Sequence, residues 1–216
     1  MAKAPVRGRV KTRLCPPCTS GEAAALAEAM LADTLAAVAA TPSAWARLVL
    51  DGDPGPWLPD GIGVVPQRGR GLDERLEAAF ADAGAPALVI AGDTPQVTPA
   101  LLRMALAALD GPGADAVLGP APDGGYWALG LRRPVAGVFA GVPMSRPTTL
   151  RDQRSRLRAL GLSVTELPPL RDVDTMADAR EVAAECVPGS RFPAVLARVE
   201  RAVARRASRA SRVGRA

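Results

Sequence analysis

The chain has 216 residues, enough for one domain with a full hydrophobic core, and its formal net charge is +5. It contains no histidine, which excludes Ser-His-Asp and Cys-His catalysis and zinc held by histidine. Acid–base or metal chemistry must therefore rely on other side chains, and Mg²⁺ or Mn²⁺ bound to carboxylate oxygens fits this inventory best.

The basic character belongs to the end of the chain. Residues 201–216 include six arginines and no acidic residue, so the preceding residues are close to neutral. We predict a single domain over residues 1–200, followed by an Arg-rich tail over 201–216 that is disordered or a fraying helix. A solvated tail is favoured over contact with an acidic membrane or nucleic acid, so nucleic acid is not an expected partner.

No apolar run reaches the length of a membrane span, and no apolar signal-peptide region follows the basic N-terminus. The sequence therefore predicts a cytoplasmic protein without a transmembrane segment. The three cysteines are expected to be reduced thiols, although Cys15 and Cys18 have the spacing of a redox or metal pair.

Apolar periodicity and capping signals predict strands that alternate with helices. Thr19 and Glu22 form a capping box before the first helix, and Thr98 followed by Pro99 opens another. Strands are expected over residues 47–50, 62–65, 87–91, 114–118, 126–131 and 163–167, and further helices after residues 71, 149 and 175. This order predicts an α/β fold with a mainly parallel, mixed sheet and helices on both faces.

The first candidate site is a basic segment at the N-terminus, where five cations lie within residues 3–13 around a proline and a glycine. Glycine lets a backbone approach phosphate closely, and lysine and arginine neutralise its charge. The candidates are Lys3, Arg7, Gly8, Lys11 and Arg13. An unstructured basic N-terminus explains the same residues. Gln67, in a loop rich in glycine and arginine, is a further candidate for nucleotide binding.

The strand over 87–91 is followed by Gly92-Asp93-Thr94-Pro95, so a lone carboxylate lies just past the carboxyl end of a buried strand. Ligands of open α/β sheets bind at that edge. Asp93 can hold a divalent cation that carries a phosphate, or it can cap the next turn, and we favour the metal.

A second pair of carboxylates, in Asp172-Val173-Asp174, follows the last predicted strand. Alternate residues of an extended segment point the same way, so both can face one ligand. Asp93 and Asp174 could then share one cation and leave positions open for phosphate oxygens. Capping of the next helix by Asp172 or Asp174 is the alternative.

The last candidate site is the segment Asp123-Gly124-Gly125-Tyr126-Trp127. Its glycines permit positive φ angles and close approach of a ligand, and two aromatic side chains follow directly. A glycine turn between two strands explains the glycines equally well. We favour a loop that faces the substrate.

Taken in chain order, these candidate segments resemble those of a bacterial GT-A-like glycosyltransferase family. The family belongs to the nucleotide-diphospho-sugar transferase superfamily and is a domain of unknown function related to phospholactate guanylyltransferase. The likeness covers residues 3 to about 185, through residues 3–8, 11–14, 31–35, 92–95, 118–121, 123–126 and 172–175. It implies that the basic N-terminal loop holds the donor phosphates. It also implies that Asp93 corresponds to the metal-binding aspartate of the superfamily, and Asp174 to the second metal carboxylate of its nucleotidylyltransferases.

Members of this family usually carry an apolar strand just before the Lys-Ala-Pro stretch, whereas only Met1 and Ala2 precede Lys3 here. We therefore expect most of the first strand to be missing from this chain. Its absence would leave two neighbouring strand edges exposed.

The expected function is that of a Mg²⁺- or Mn²⁺-dependent transferase with a nucleotide or nucleotide-sugar donor and a small-molecule acceptor. Glycosyl transfer is favoured, with Asp123 orienting or deprotonating the acceptor hydroxyl beside Gly124 and Gly125, and with Tyr126 and Trp127 packing on a sugar or base. The alternative is guanylyl- or cytidylyl-type transfer to a phosphate or phosphonate, with Lys11 and Arg13 steadying the transition state. A non-catalytic nucleotide-binding module is the third possibility.

Overall fold

A computed structural model describes residues 1–42 and 45–213, in which strands and helices alternate. The strands are β1 (Ala2–Lys3), β2 (Arg47–Asp51), β3 (Gly63–Pro66), β4 (Ala87–Ile90), β5 (Ala116–Pro120), β6 (Tyr126–Leu131) and β7 (Val164–Glu166). The α-helices are α1 (Ser20–Ala39), α2 (Leu72–Ala83), α3 (Pro99–Asp110), α4 (Thr149–Ala159), α5 (Met176–Glu185) and α6 (Arg191–Val213). A 3₁₀ turn covers Thr12–Leu14.

The strands form two groups, with the orders β1-β2-β3 and β4-β6-β5-β7. Within the described residues β6 alone runs antiparallel to its neighbours, because the connection over residues 121–125 is too short for a crossover. The two groups meet at β1. It pairs with β2 on one side, and on the other the amino group of Met1 donates a hydrogen bond of 2.8 Å to the carbonyl of Ile90. The predicted α/β fold with a mixed sheet is confirmed.

The first strand is only two residues long. It nevertheless fixes where the N-terminal segment enters the fold. Ala2 and Lys3 pair with Leu50 and Asp51, so the chain leaves β1 at the carboxyl ends of the neighbouring strands. The basic segment after Lys3 therefore begins at the edge of the sheet where ligands of open α/β folds bind.

Threonine caps begin three of the helices. Thr19 and Glu22 form the predicted capping box of α1, and Thr175 and Asp178 form an equivalent one for α5. The hydroxyl of Thr98 caps α3 by accepting from the backbone N–H of Leu101. Because threonines cap α3 and α5, the aspartates in the loops that precede these two helices remain available for other contacts.

Helices α1, α5 and α6 enclose one part of the core. Asp33 of α1 accepts hydrogen bonds from the backbone N–H groups of Arg191 and Phe192 at the start of α6, at 2.9 and 2.8 Å. Near the other end of α6, Arg206 donates to both carboxylate oxygens of Glu22 at 2.7 and 2.6 Å. The Arg-rich tail, for which disorder or a fraying helix was expected, thus continues α6 as a helix through Val213.

No helix within residues 1–42 and 45–213 is long and apolar enough to cross a membrane. The cysteines at positions 15, 18 and 186 are free thiols, and the sulfur of Cys18 packs against that of Met176 at 3.6 Å.

Candidate functional site

A cavity of about 510 Å³ opens at the edge of the sheet where β1 and β4 end. Its apolar walls come from α1, α2 and the sheet, and its charged lining comes from the loops that follow the strands. The basic lining residues are Lys3, Arg9, Lys11, Arg13 and Arg146, and the acidic ones are Asp93, Asp123, Asp172 and Asp174. Most of the sequence-predicted candidates thus share one cavity.

Lys11 joins the two predicted metal carboxylates. Its Nζ lies 2.7 Å from Oδ2 of Asp93 and 3.5 Å from Oδ1 of Asp174, while Arg13 pairs with the other oxygen of Asp174. Asp93 and Asp174 therefore converge on a single cationic group. The Lys11 side chain is only 13% exposed, whereas that of Arg13 is 75% exposed and lies at the rim.

The backbone of Lys11 explains how its side chain reaches inward. Lys11 adopts the left-handed conformation, with φ of 46° and ψ of 40°, immediately before the 3₁₀ turn. Its carbonyl accepts from the N–H of Leu14, and Leu14 is fully buried against α1. An unfavourable backbone conformation is thus held in place by packing, which is a pattern typical of functional sites.

The charges of the cavity shift the protonation equilibria of two of its side chains. Burial lowers the pKa of Lys11, but Asp93, Asp174 and Asp172 outweigh burial, so the pKa is raised and the ammonium form is stabilised. Burial and repulsion by Asp93, Asp123 and Asp174 raise the pKa of Asp172 to about 6. Burial and the neighbouring carboxylates therefore favour the neutral form of the Asp172 carboxyl.

Two loops carry the carboxylates, and a buried glutamine connects them. The side-chain amide of Gln96, in the loop after β4, donates a hydrogen bond of 2.7 Å to the carbonyl of Arg171. The N-cap of α5 is Thr175, so neither Asp172 nor Asp174 has the helix-capping role that was their alternative interpretation. Asp93, for which capping of the next turn was the alternative, accepts a hydrogen bond from Lys11. Asp93 and Asp174 thus both contact Lys11.

In the turn between β5 and β6, one of the two predicted roles applies to each glycine: Gly125 lines the cavity, and Gly124 is needed for the packing of the turn. Oδ1 of Asp123 accepts from the N–H of Gly125 at 2.7 Å, and both residues line the cavity. Gly124 does not line it, contrary to expectation. With φ of 88°, a Cβ at Gly124 would lie 2.0 Å from the carbonyl oxygen of Pro147. Gly124 is therefore required by loop packing.

The two aromatic residues after this turn have different places. The ring of Tyr126 borders the cavity, and its hydroxyl lies 3.5 Å from Oε1 of Gln153. Burial raises the pKa of Tyr126 far above its usual range. The predicted packing of Trp127 on a sugar or base is not supported. The residue also borders the cavity, but it is only 1% exposed, its indole packs in the core and its Nε1–H donates to the carbonyl of Pro168 at 3.0 Å.

Three further predicted binding residues lie outside the cavity lining. Gln67 donates to the carbonyls of Ala2 and Val49 and accepts from Arg75, so its amide joins strands instead of meeting a ligand. Arg7 lies against Gly21 at the start of α1. Gly8 has φ of 74°, and nothing lies within 4 Å of the position that a Cβ would take there, so it serves a turn in open space.

Other lining residues were not singled out from the sequence. Arg9 belongs to the basic segment but has no feature that distinguishes it from Arg7. Arg146 lies in a loop without regular structure, where Thr149 closes the loop by donating to the carbonyl of Pro143 and accepting from the N–H of Arg146. Such contacts give no signal in the sequence.

The donor set at Lys11 fits a hard divalent cation with incomplete protein ligation. Within the part of the chain that the structure describes, no group of three or more His, Cys, Asp or Glu side chains is arranged to hold a metal ion. Asp93 and Asp174 provide two carboxylates, and Mg²⁺ commonly takes one or two carboxylates together with water and substrate phosphates. The residues present therefore fit a cation that binds with a phosphate-bearing donor.

Comparison with known proteins agrees with this fold. The family described as "Uncharacterized protein conserved in bacteria (DUF2064)" matches residues 23–146. The crystal structure of a "putative nucleotide-diphospho-sugar transferase" from Desulfovibrio desulfuricans G20 superposes with a TM-score of 0.82 and 27% identity over 94% of both chains. Rv0371c from Mycobacterium tuberculosis H37Rv shares the fold, with a TM-score of 0.52 and 23% identity over 84% of this chain and 94% of that one. No curated protein matches the chain.

Proposed function

The chain belongs to the DUF2064 family, and on that premise we propose that it is a metal-dependent transferase with a nucleotide-activated donor, namely a nucleotide sugar. One observation carries the proposal. Asp93 and Asp174, from two different loops, converge on one cationic group inside a cavity that further basic side chains line. The name of the similar protein from Desulfovibrio desulfuricans supports the same class of reaction.

The basic side chains of the cavity would bind the donor phosphates. Lys3, Arg9 and Arg13 line the cavity on the N-terminal segment, where their charges can neutralise a nucleoside diphosphate as it leaves. A Mg²⁺ or Mn²⁺ ion held by Asp93 and Asp174 would supply Lewis-acid stabilisation of the same leaving group.

The acceptor would be handled by Asp123. Its Oδ1 is engaged by the N–H of Gly125, which fixes the orientation of the carboxylate at the cavity wall. Oδ2 can then accept a hydrogen bond from an acceptor hydroxyl and take its proton as that oxygen attacks. Tyr126 stays protonated beside it, because burial raises its pKa, and can shape the wall of this subsite.

Nucleotidyl transfer is the second candidate, and the clustering of Lys11 and Arg13 at the carboxylate pair favours it. In that reaction a phosphate or phosphonate attacks the α-phosphate of a nucleoside triphosphate, and pyrophosphate leaves. Two cations within one short segment suit the charge that develops on the α-phosphate oxygens.

A donor assay tests the proposal without knowledge of the acceptor, because water can replace it. The chain is incubated with a panel of nucleotide sugars and Mn²⁺, and release of nucleoside diphosphate is measured. A parallel panel of nucleoside triphosphates with phosphate acceptors is monitored for pyrophosphate. Asp93→Asn should lose the activity, whereas Asp110→Asn, which removes the same charge from the exposed end of α3, should keep it.

The outcomes separate the candidates. Release of nucleoside diphosphate supports glycosyl transfer, and pyrophosphate release alone supports nucleotidyl transfer. Thermal stabilisation by nucleotides without turnover supports a non-catalytic binding module. Full turnover by Asp93→Asn would remove this carboxylate from the mechanism.

A further inference from the structure

The ammonium group of Lys11 lies where a cation shared by Asp93 and Asp174 is expected. Its Nζ is within ion-pair distance of oxygens from both carboxylates, at 2.7 and 3.5 Å. The Lys11 side chain is 13% exposed and the carboxylates of Asp93 and Asp174 are 32% and 34% exposed, so solvent screens these interactions only in part. One positive charge thus compensates two carboxylates carried by separate loops.

We propose that Lys11 is an internal counter-cation, whose ammonium neutralises Asp93 and Asp174 in the metal-free protein and withdraws when a divalent cation binds them. Lys11 would then determine the metal affinity of the site. This inference rests on the proposed function, because it takes Asp93 and Asp174 as the metal-binding pair.

The exchange follows from the chemistry of the groups. An ammonium has three donors and no lone pair, so Lys11 cannot become a ligand of the cation. Two positive groups on the same carboxylate pair would repel each other strongly in a poorly solvated site. Binding of the cation must therefore break the contacts of Lys11, and the free energy of those contacts is subtracted from the metal affinity.

Two further carboxylates add to the attraction for a cation. Asp123 and Asp172 line the same cavity as Asp93 and Asp174, and of the five basic side chains in this lining only Lys11 and Arg13 form ion pairs with these carboxylates within the described residues. Replacement of one positive charge by two at the centre of this cluster lowers the net repulsion among the carboxylates. The site thus holds Lys11 firmly while still favouring a divalent competitor.

The withdrawn side chain would have a defined use. Lys11 is anchored by the 3₁₀ turn behind it, so its flexible stem can move while its backbone stays in place. The nearest new acceptors for the ammonium would be donor phosphate oxygens beside the cation. Lys11 would then reach the phosphate only in the metal-loaded site, which couples donor binding to metal binding.

The first test measures Mn²⁺ binding to the full chain without nucleotide, from the electron paramagnetic resonance signal of free Mn²⁺. Lys11→Met removes the ammonium and keeps an unbranched side chain of similar length. We expect it to bind Mn²⁺ about tenfold more tightly than the wild type, the fold-change equivalent to one modest ion pair. Lys3→Met is the matched control, because Lys3 lines the same cavity on β1, and its Mn²⁺ affinity should stay within about twofold of the wild type.

A second test uses the unmodified chain and so does not depend on the folding of a variant. Lys3 and Lys11 are the two lysines of the sequence, so mass spectrometry can follow the acetylation of each. In the absence of divalent cations Lys11 should react much more slowly than Lys3. Saturating Mg²⁺ should accelerate acetylation of Lys11 several-fold and leave Lys3 unchanged, relative to NaCl of equal ionic strength.

Failure of this inference is distinguishable from failure of the proposed function. Equal or weaker Mn²⁺ binding by a folded Lys11→Met, with binding lost in Asp93→Asn, overturns the counter-cation role and leaves the metal site intact. Undiminished Mn²⁺ binding by Asp93→Asn overturns the metal site itself. If Lys11→Met does not fold, a Lys11 acetylation rate that is insensitive to Mg²⁺ overturns the inference.

Discussion

The side-chain amide of Gln96 donates a 2.7 Å hydrogen bond to the backbone carbonyl of Arg171, although the residues are 75 positions apart. This contact joins the loop of Asp93 to the loop of Asp174. Gln96 is 5% exposed, and within the described residues its Oε1 has no hydrogen-bond partner. The Gln96 amide thus joins the two carboxylate loops through its NH₂ group, although leaving its buried Oε1 without a hydrogen bond is unfavourable for folding.

Gln96→Leu should therefore weaken Mn²⁺ binding, because the contact between the two carboxylate loops is lost, while it lowers the free energy of unfolding only slightly. It leaves the Arg171 carbonyl unpaired but also removes the unpaired Oε1, so we expect a loss of only about 1 kcal/mol in the free energy of unfolding. Gln96→Glu should be worse, because it buries a negative charge. Denaturant unfolding and Mn²⁺ titration measure both effects. Gln153→Leu, which removes a buried amide contact with the carbonyl of Val138, should destabilise the fold without lowering Mn²⁺ affinity.

Gly124→Ala should disrupt the contact between the β5–β6 turn and the loop at Pro147. The substitution adds backbone strain at φ of 88° and a clash with the carbonyl of Pro147, so we expect a loss of more than about 2 kcal/mol. Gly161→Ala isolates the strain, because Gly161 has φ of 72° and nothing lies within 4 Å of its Cβ position. Thermal unfolding should show a smaller loss there, about 1 kcal/mol. Equal losses would contradict the role of Pro147.

The ion pair of Arg206 and Glu22 should make the free energy of unfolding depend on pH in the acidic range. The hydrogen bond from Arg206 is the main reason that the pKa of Glu22 falls from its usual 4.5 to about 2. A depressed carboxyl pKa stabilises the fold fully above pH 4.5, and this stabilisation is lost as the pH falls toward 2. Arg206→Gln should cost about 1 kcal/mol at pH 7, because the pair is partly exposed, and this cost should disappear as the pH falls below about 2.

Arg205→Gln is the control for this pair, because it removes an equal charge from the adjacent exposed position on α6. Denaturant unfolding at several pH values should show a wild-type-like acid dependence for Arg205→Gln and a flatter one for Arg206→Gln. The same dependence in both variants would mean that the pair does not anchor α6.

Arg13→Gln should separate stability from activity. The Arg13 side chain is 75% exposed, so its ion pair with Asp174 should contribute less than about 0.5 kcal/mol to folding. Under the proposed function, donor turnover should nevertheless fall about tenfold or more, because a cation at the leaving phosphates is lost. Arg151→Gln removes an equally exposed ion pair with Asp152 away from the cavity and should change neither melting temperature nor turnover. A wild-type turnover for Arg13→Gln would exclude it from donor binding.

Local features of this protein were predictable from its amino-acid order. The capping hydrogen bonds of Thr19 and Thr98 connect residues three positions apart, so their signals lie within a single turn of chain. The apolar run over β4 likewise marks a strand and the position of Asp93 after it. These local signals occur in a characteristic order, and that order was sufficient to identify the family and the fold.

The contacts of these residues were not predictable in the same way. Whether Trp127 faces a ligand or the core depends on Gly119, whose missing side chain leaves room for the indole, and on the carbonyl of Pro168. Likewise, the sequence placed Lys11 among the phosphate-binding candidates, but its position between Asp93 and Asp174 required contacts that span 82 and more positions. A pattern of neighbouring residues cannot encode such contacts, because they arise only when separate strands bring their loops to one edge of the sheet.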